Sequence, residues 1–255
     1  RHLEALKEWA QEGTTAGNQL WVQLNHPGKQ SPSFINGDPV APSAIPLSLS
    51  GFSPPRELRD EEIEEIITRF GRSAAIVKQA GFTGVQIHGA HGYLVSQFLS
   101  AHHNQRNDRW GGTPENRRRF VLEVYRAIRE AVGPSFPVGI KLNSADFQRG
   151  GFSEEESLDV IRALASAGID HIEISGGNYE QRAMMGDRSQ QRESTRKREA
   201  YFLEFAAKAR RATDIPIAVT GGFRSVVGMG KAVSSGETDM VGLARPLAVV
   251  PDFPS

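Results

Sequence analysis

The chain contains no cysteine in 255 residues. Disulfides, a thiol nucleophile and a cysteine-ligated iron–sulfur cluster are therefore excluded from its chemistry. It also lacks charge of either sign in excess: 30 Lys and Arg offset 30 Asp and Glu. That balance gives no electrostatic reason to expect nucleic acid or an acidic membrane as a partner. No apolar run approaches the roughly 18 residues of a membrane-spanning helix. Absent thiols are compatible with the cytoplasm, the expected compartment. The opening Arg1-His-Leu-Glu-Ala-Leu-Lys-Glu-Trp9 reads as an amphipathic helix rather than a signal peptide, and without an initiator methionine it points to residues upstream.

What is present is ordinary in bulk, with 38% hydrophobic and 24% charged residues, enough for one large α/β core and a single domain. One theme recurs along it. A helix ends at glycine and a short β-rich run follows at once, as in Ala80-Gly-Phe-Thr-Gly-Val-Gln-Ile-His88, Ala167-Gly-Ile-Asp-His-Ile-Glu-Ile-Ser175 and Ser235-Gly-Glu-Thr-Asp-Met-Val-Gly242. Looser matches run over 20–26, 137–143 and 215–221. Apolar spacing predicts helices near 60–80, 115–132, 154–167, 197–213 and 225–235. Strands alternating with helices predict a parallel sheet. Six strands can be read where a (β/α)8 TIM barrel needs eight. The expectation is a barrel whose first two βα units precede Arg1; an open sheet is the alternative. Two long loops, 27–59 and 176–196, have the size of lids or binding loops.

Alternation along each strand sends every second side chain to one face. Val22, Leu24, Val85, Ile87, Ile140 and Leu142 should face the helices, leaving Trp21, Gln23, Asn25, Gln86, His88, Lys141 and Asn143 inside. Gln23, His88 and Lys141 are then aimed at the C-terminal mouth, where barrel active sites lie. A dry lysine there costs several kcal/mol, roughly, unless an anion, an electron-rich ring or a carboxylate faces it. Glu173, inward on the next strand, could serve as a plain salt-bridge partner. His88-Gly-Ala-His91-Gly-Tyr93 leaves a strand end with two imidazoles and a phenol. Such a donor set suits a polarised oxygen and a proton transfer.

These residues carry a resemblance. The chain resembles the Old Yellow Enzyme family of FMN-dependent NAD(P)H:flavin oxidoreductases, or ene-reductases, from about residue 18 to 250. The likeness rests on Gln23-Leu-x-His26-x-Gly28-Lys29, Gly84-Val-Gln-Ile-His-Gly-Ala-His-Gly-Tyr93-Leu, Gln97-Phe-Leu-Ser, Asn104-x-Arg106-x-Asp108-x-Trp110-Gly-Gly, Glu115-Asn-Arg-x-Arg-Phe120, Thr220-Gly-Gly-Phe and Gly242-Leu-Ala-Arg245-Pro. It implies FMN as cofactor, with NADH or NADPH as reductant. Gln23 would bind the pyrimidine edge of the flavin and Lys141 would sit beside N1 and the C2 carbonyl. Gly221, Gly222, Ala244 and Arg245 would hold the phosphate. His88 and His91 would bind a carbonyl or nitro oxygen of a small-molecule substrate, and Tyr93 would protonate the α-carbon of an activated alkene. Many relatives carry arginine where Lys141 stands, and His91 assigns the chain to the His/His type. The first two family strands have no counterpart here.

Blander readings stand beside these. The two histidines of HxxH, with His102 and His103, could hold a metal in a barrel hydrolase, although no acidic ligands neighbour them. No metal site is expected. Tyr93 could merely anchor a loop, and Gly221-Gly222 could be an ordinary turn. Arg117, Arg118 and Arg119 read as helix surface with one salt bridge. Arg182, Arg188, Arg192, Arg196 and Arg198 read as a solvated run or as help for the reductant's phosphates. A non-catalytic, incomplete relative is the remaining alternative. A homo-oligomer is compatible with the sequence, as is a monomer.

Overall fold

In the computed structural model, residues 2–177, 180, 202–223, 225–250 and 252 are described. The order is α1 (His2–Thr14), β1 (Trp21–Leu24), a 3-10 turn (Gly28–Gln30), β2 (Val40–Ala41), β3 (Arg56–Glu57), α2 (Asp60–Ala80), β4 (Gly84–Gly89), α3 (Leu94–Leu99) and α4 (Pro114–Val132). Then follow β5 (Val138–Asn143), α5 (Glu154–Ala167), β6 (His171–Ser175), α6 (Leu203–Ala212), β7 (Ile217–Thr220), α7 (Val226–Ser234), β8 (Met240–Gly242) and α8 (Arg245–Val249). Six strands form one parallel sheet in the order β1-β4-β5-β6-β7-β8, sequential once β2 and β3, which make a separate parallel pair, are set aside. This is the strand order of a (β/α)8 barrel, of which the described residues supply a six-stranded arc.

Local sequence sets the boundaries. Gly81 (φ 96°) and Gly168 (φ 90°) close α2 and α5 in the left-handed conformation, and β4 and β6 start three residues later. Ser153 caps α5: its hydroxyl accepts from the Glu156 N–H, and the Glu156 carboxylate reaches back to the Ser153 N–H. At α2 the Glu62 carboxylate accepts from the Arg59 N–H in the same way.

One face of the arc is dry. Val85, Ile87, Val138, Ile140, Leu142, Ile172 and Ile174 are buried with Ile63, Phe70, Val77, Phe120, Val124 and Ile128 of α2 and α4 in a single core. Each such side chain contributes about 1.5–3 kcal/mol by leaving water. α2 and α4 pack closely because residue 71 is glycine: a Cβ there would lie 2.8 Å from the Ala127 carbonyl oxygen.

The other face is polar, as the alternation predicted. At its lower end the Trp21 ring lies against Gly84 and Gly139 and meets His171 edge-on at 5.8 Å between ring centres. Above that layer come Gln23, Gln86, His88, Lys141 and Glu173, which form the site described next. Among the described residues, no helix is long and apolar enough to cross a membrane.

Candidate active site

Register brings the inward polar residues together. Gln23 pairs with Gln86 across β1 and β4, His88 with Lys141 across β4 and β5, and Lys141 with Glu173 across β5 and β6. Their side chains join as well. Gln23 Nε2 donates to Gln86 Oε1 at 2.6 Å, and Gln86 Nε2 donates to Glu173 Oε2 at 2.7 Å. Lys141 Nζ lies 2.8 Å from Glu173 Oε1, to which the Thr220 hydroxyl also donates. Burial opposes ionisation of Glu173, but Lys141, Thr220 and Gln86 outweigh it and hold the carboxyl below its ordinary range. The lysine therefore has its carboxylate partner, the alternative that the sequence left open.

At the end of β4 the chain turns so that three rings meet. His88 contacts His91 at 5.2 Å and Tyr93 at 4.7 Å between ring centres, both edge-on. His91 adopts φ 62°, a left-handed conformation uncommon for a residue with a Cβ. Three bonds hold it. Its N–H donates to Asn143 Oδ1 (3.2 Å), its carbonyl accepts from Gln30 Nε2 (3.0 Å), and its Nε2 lies 2.8 Å from Ser175 Oγ.

Both imidazoles are neutral near pH 7. Burial, then His91 and Lys141, push His88 down to about 3; burial, then Lys141, push His91 down to about 4. The Ala90 N–H donates to His88 Nδ1 at 3.3 Å, so the proton of the neutral ring sits on Nε2. His88 is thus a neutral N–H donor, suited to an oxygen on which negative charge develops.

The remaining expected residues follow the next two strands. Gly221 (φ 128°) and Gly222 (φ 85°) come directly after β7, and Ala244 precedes the Arg245–Val249 helix after β8. All lie at the C-terminal ends of parallel strands, as do His88, His91 and Tyr93. Of Arg245 only the backbone is described, and the arginines at 182, 188, 192, 196 and 198 fall outside the described residues.

Two groups were given no role by the sequence. Ser175 and Asn143 close the site behind His91; their signal was the period-two continuation of β6 and β5. The second is a buried brace. Lys29 Nζ reaches the carbonyls of Ile45 (3.3 Å) and Pro46 (3.4 Å) and lies 3.0 Å from His103 Nδ1. His103 Nε2 is 3.6 Å from Glu180 Oε2, while Glu180 Oε1 accepts from the Ser48 N–H. Burial and Lys29 push His103 down to about 3. An ammonium facing one ring nitrogen leaves that nitrogen poorly suited to a metal. Among the described residues, no group of three or more His, Asp or Glu is arranged to hold one.

The donor set fits a flavin. An amide, an ammonium and a neutral imidazole line one polar face, matching a ring with alternating N–H and C=O groups along one edge.

A family model described as "NADH:flavin oxidoreductase / NADH oxidase family" matches residues 1–255. The NADH-dependent flavin oxidoreductase iliE of Neonectria sp. is 38% identical over 277 residues, covering 99% of this chain and 36% of its own length. The structure of a 2-naphthoyl-CoA reductase in complex with 2-naphthoyl-CoA superposes with a TM-score of 0.89 at 31% identity, covering 96% of this chain and 38% of that one. The Old Yellow Enzyme homologue of Zymomonas mobilis superposes with a TM-score of 0.77 at 25% identity, covering 96% of this chain and 68% of that one. The chain thus spans about a third of the length of the first of these relatives.

Proposed function

Since the chain belongs to the NADH:flavin oxidoreductase / NADH oxidase family, we propose that it forms the FMN-binding barrel of an NADH- or NADPH-dependent oxidoreductase that reduces activated alkenes. Bound FMN would supply the redox chemistry, hydride transfer from the nicotinamide to the β-carbon of an α,β-unsaturated carbonyl or nitro compound. In balance, alkene, NAD(P)H and one proton give the saturated product and NAD(P)+.

The protein's residues orient and polarise. Gln23 would offer its amide to the pyrimidine edge of the flavin, and Lys141 would set a positive charge where the reduced ring carries negative charge. Gly221, Gly222, Ala244 and Arg245 line the phosphate end, at the loops after strands seven and eight that serve this purpose in many barrels. The Nε2–H of His88 donates to the substrate oxygen, with His91 beside it. Hydride attack on the β-carbon builds enolate-like charge on that oxygen, so these donors act most strongly in the transition state. Tyr93, whose ring lies against His88, holds the proton for the α-carbon.

One observation supports this reading: Gln23, His88 and Lys141 share a single inner face, Gln23 and Lys141 being joined through Gln86 and Glu173 over four strands and His88 standing beside Lys141 in register. The test is reconstitution of the intact protein with FMN. A yellow protein absorbing near ~450 nm, bleached by NADH or NADPH without oxygen and restored by a conjugated enone, is the expected result. Failure to take up FMN overturns the proposal. Bleaching without recovery on enones or nitroalkenes overturns the substrate class alone.

A further inference from the structure

Lys141 is not a lone cation. Glu173 lies 2.8 Å from it, and both side chains are largely buried, 16% and 14% exposed. Facing charges of opposite sign in a poorly hydrated site nearly cancel for any group at a distance, while a group beside them feels the nearer charge more strongly. The carboxylate is also tied by Gln86 and Thr220, which fixes it below the mouth.

Its acceptor-only chemistry has a second effect. A carboxylate can only accept, so Gln86 must turn its NH2 toward Glu173 and its carbonyl toward Gln23. Gln23 must in turn spend an N–H on Gln86, which leaves its own carbonyl oxygen as an acceptor for a ligand. One buried anion thereby sets the orientation of two amides and the net charge around the lysine.

Building on the flavin reading above, we propose that Glu173 tunes the cofactor seat: it opposes the charge of Lys141, holds the reduction potential of bound FMN down, and fixes the polarity of the Gln86–Gln23 relay. In the proposed seat, reduction would place negative charge on the ring edge beside this pair. An adjacent carboxylate raises the energy of that state, and its removal lowers it. Glu173 touches Lys141 and Gln86 rather than any reacting atom, so it acts as a positioning and tuning residue.

The test is spectroelectrochemical titration of FMN bound to the intact protein, together with its affinity for oxidised FMN. Glu173→Gln keeps the shape and removes the charge. It should raise the ratio of reduced to oxidised FMN affinity by about tenfold, a shift of ~30 mV to more positive potential for a two-electron couple. Affinity for oxidised FMN should fall, because the two amides lose the anchor that orients them. Thr220→Val is the second variant: it strips one donor from the carboxylate without changing ionic groups and leaves the anion less compensated. Its potential should move the other way, to more negative values, and it keeps the proposal testable if the first variant does not fold. Stoichiometrically bound FMN whose potential is indifferent to both variants, or moves opposite to these signs, overturns the role of Glu173 alone. Absence of FMN binding by the unmodified protein overturns the flavin reading and this inference with it.

Discussion

The Nε2 of His91, in the loop after β4, lies 2.8 Å from the Oγ of Ser175, the last residue of β6. This bond fixes the ring of a residue whose backbone is itself held at φ 62°. A hydrogen bond of this kind contributes about 1 kcal/mol net. Ser175→Ala should therefore cost roughly fivefold in kcat/KM for the unsaturated substrate, with Ser175→Thr recovering most of it. Steady-state kinetics of both variants decide the matter. Equal kcat/KM for the alanine variant and the parent would show that His91 needs no support from Ser175.

His88 and Tyr93 touch one another but are assigned different tasks, and half-reaction kinetics separate them. Removing a neutral donor from a site of developing negative charge costs about 100-fold or more, so His88→Ala should slow enone reduction by at least that factor. Tyr93→Phe should lose about 100- to 10,000-fold in the same half-reaction, the range of general-acid catalysis. Reduction of the bound flavin by NADH or NADPH should change far less in Tyr93→Phe, since no proton is delivered there. Rapid-mixing absorbance at the flavin band reads each step. Equal losses in both half-reactions for Tyr93→Phe would remove it as the proton donor.

Much of this site was legible because strands obey a period of two. Placing Val85 and Ile87 in the core forces Gln86 and His88 to the other face, and the same reasoning located Gln23, Lys141 and Glu173. Three features escaped for physical reasons. α3 is six residues long and buried throughout, so it has no polar stripe from which a helical period can be read. The β2–β3 pair is two residues per strand, below any periodic signal. Arg117 reads as part of a surface run with Arg118 and Arg119, yet it is buried. Helical geometry turns it inward, where it donates to the carbonyls of Leu99 and Gly112 and pairs with Glu156.

Acid should destabilise the protein well before its carboxylates titrate. His88 and His103 are pushed down to about 3 and His91 to about 4, against an ordinary imidazole value of 6.5. Through these three rings the folded state binds fewer protons than the unfolded chain between about pH 6.5 and pH 3–4. Stability is full above about pH 6.5 and is lost progressively as pH falls toward about 3–4, by up to ~2 kcal/mol per imidazole at pH 5. Glu173, held below its ordinary value, adds to the loss only in the carboxylate range. Denaturant midpoints at pH 7.5 and pH 5 should differ accordingly. His103→Gln should flatten the slope, and a midpoint that rises on acidification would contradict the neutral, buried state of these rings.

A frame of hydrogen bonds holds the 27–59 segment beside the site. Arg106 is 8% exposed and spends its guanidinium on that loop. Nη1 donates to the carbonyls of Pro42 (3.1 Å) and Leu58 (2.7 Å) and lies 3.2 Å from Glu57 Oε1, while Nε and Nη2 grip Asp108. Asn104 prepares this geometry by donating to the carbonyls of Phe98 and Trp110 at 2.8 Å each. Arg106→Ala leaves two buried carbonyls unpaired and should cost about 3 kcal/mol of stability. Arg106→Lys keeps the charge but not the planar fork, so it should recover only part of that loss. Because the same loop carries the Ile45 and Pro46 carbonyls that anchor Lys29, loosening it should also raise KM more than it lowers kcat. Urea unfolding and steady-state kinetics on the two variants read both effects. A lysine variant as stable as the parent would mean that charge alone, rather than the fork, secures the loop.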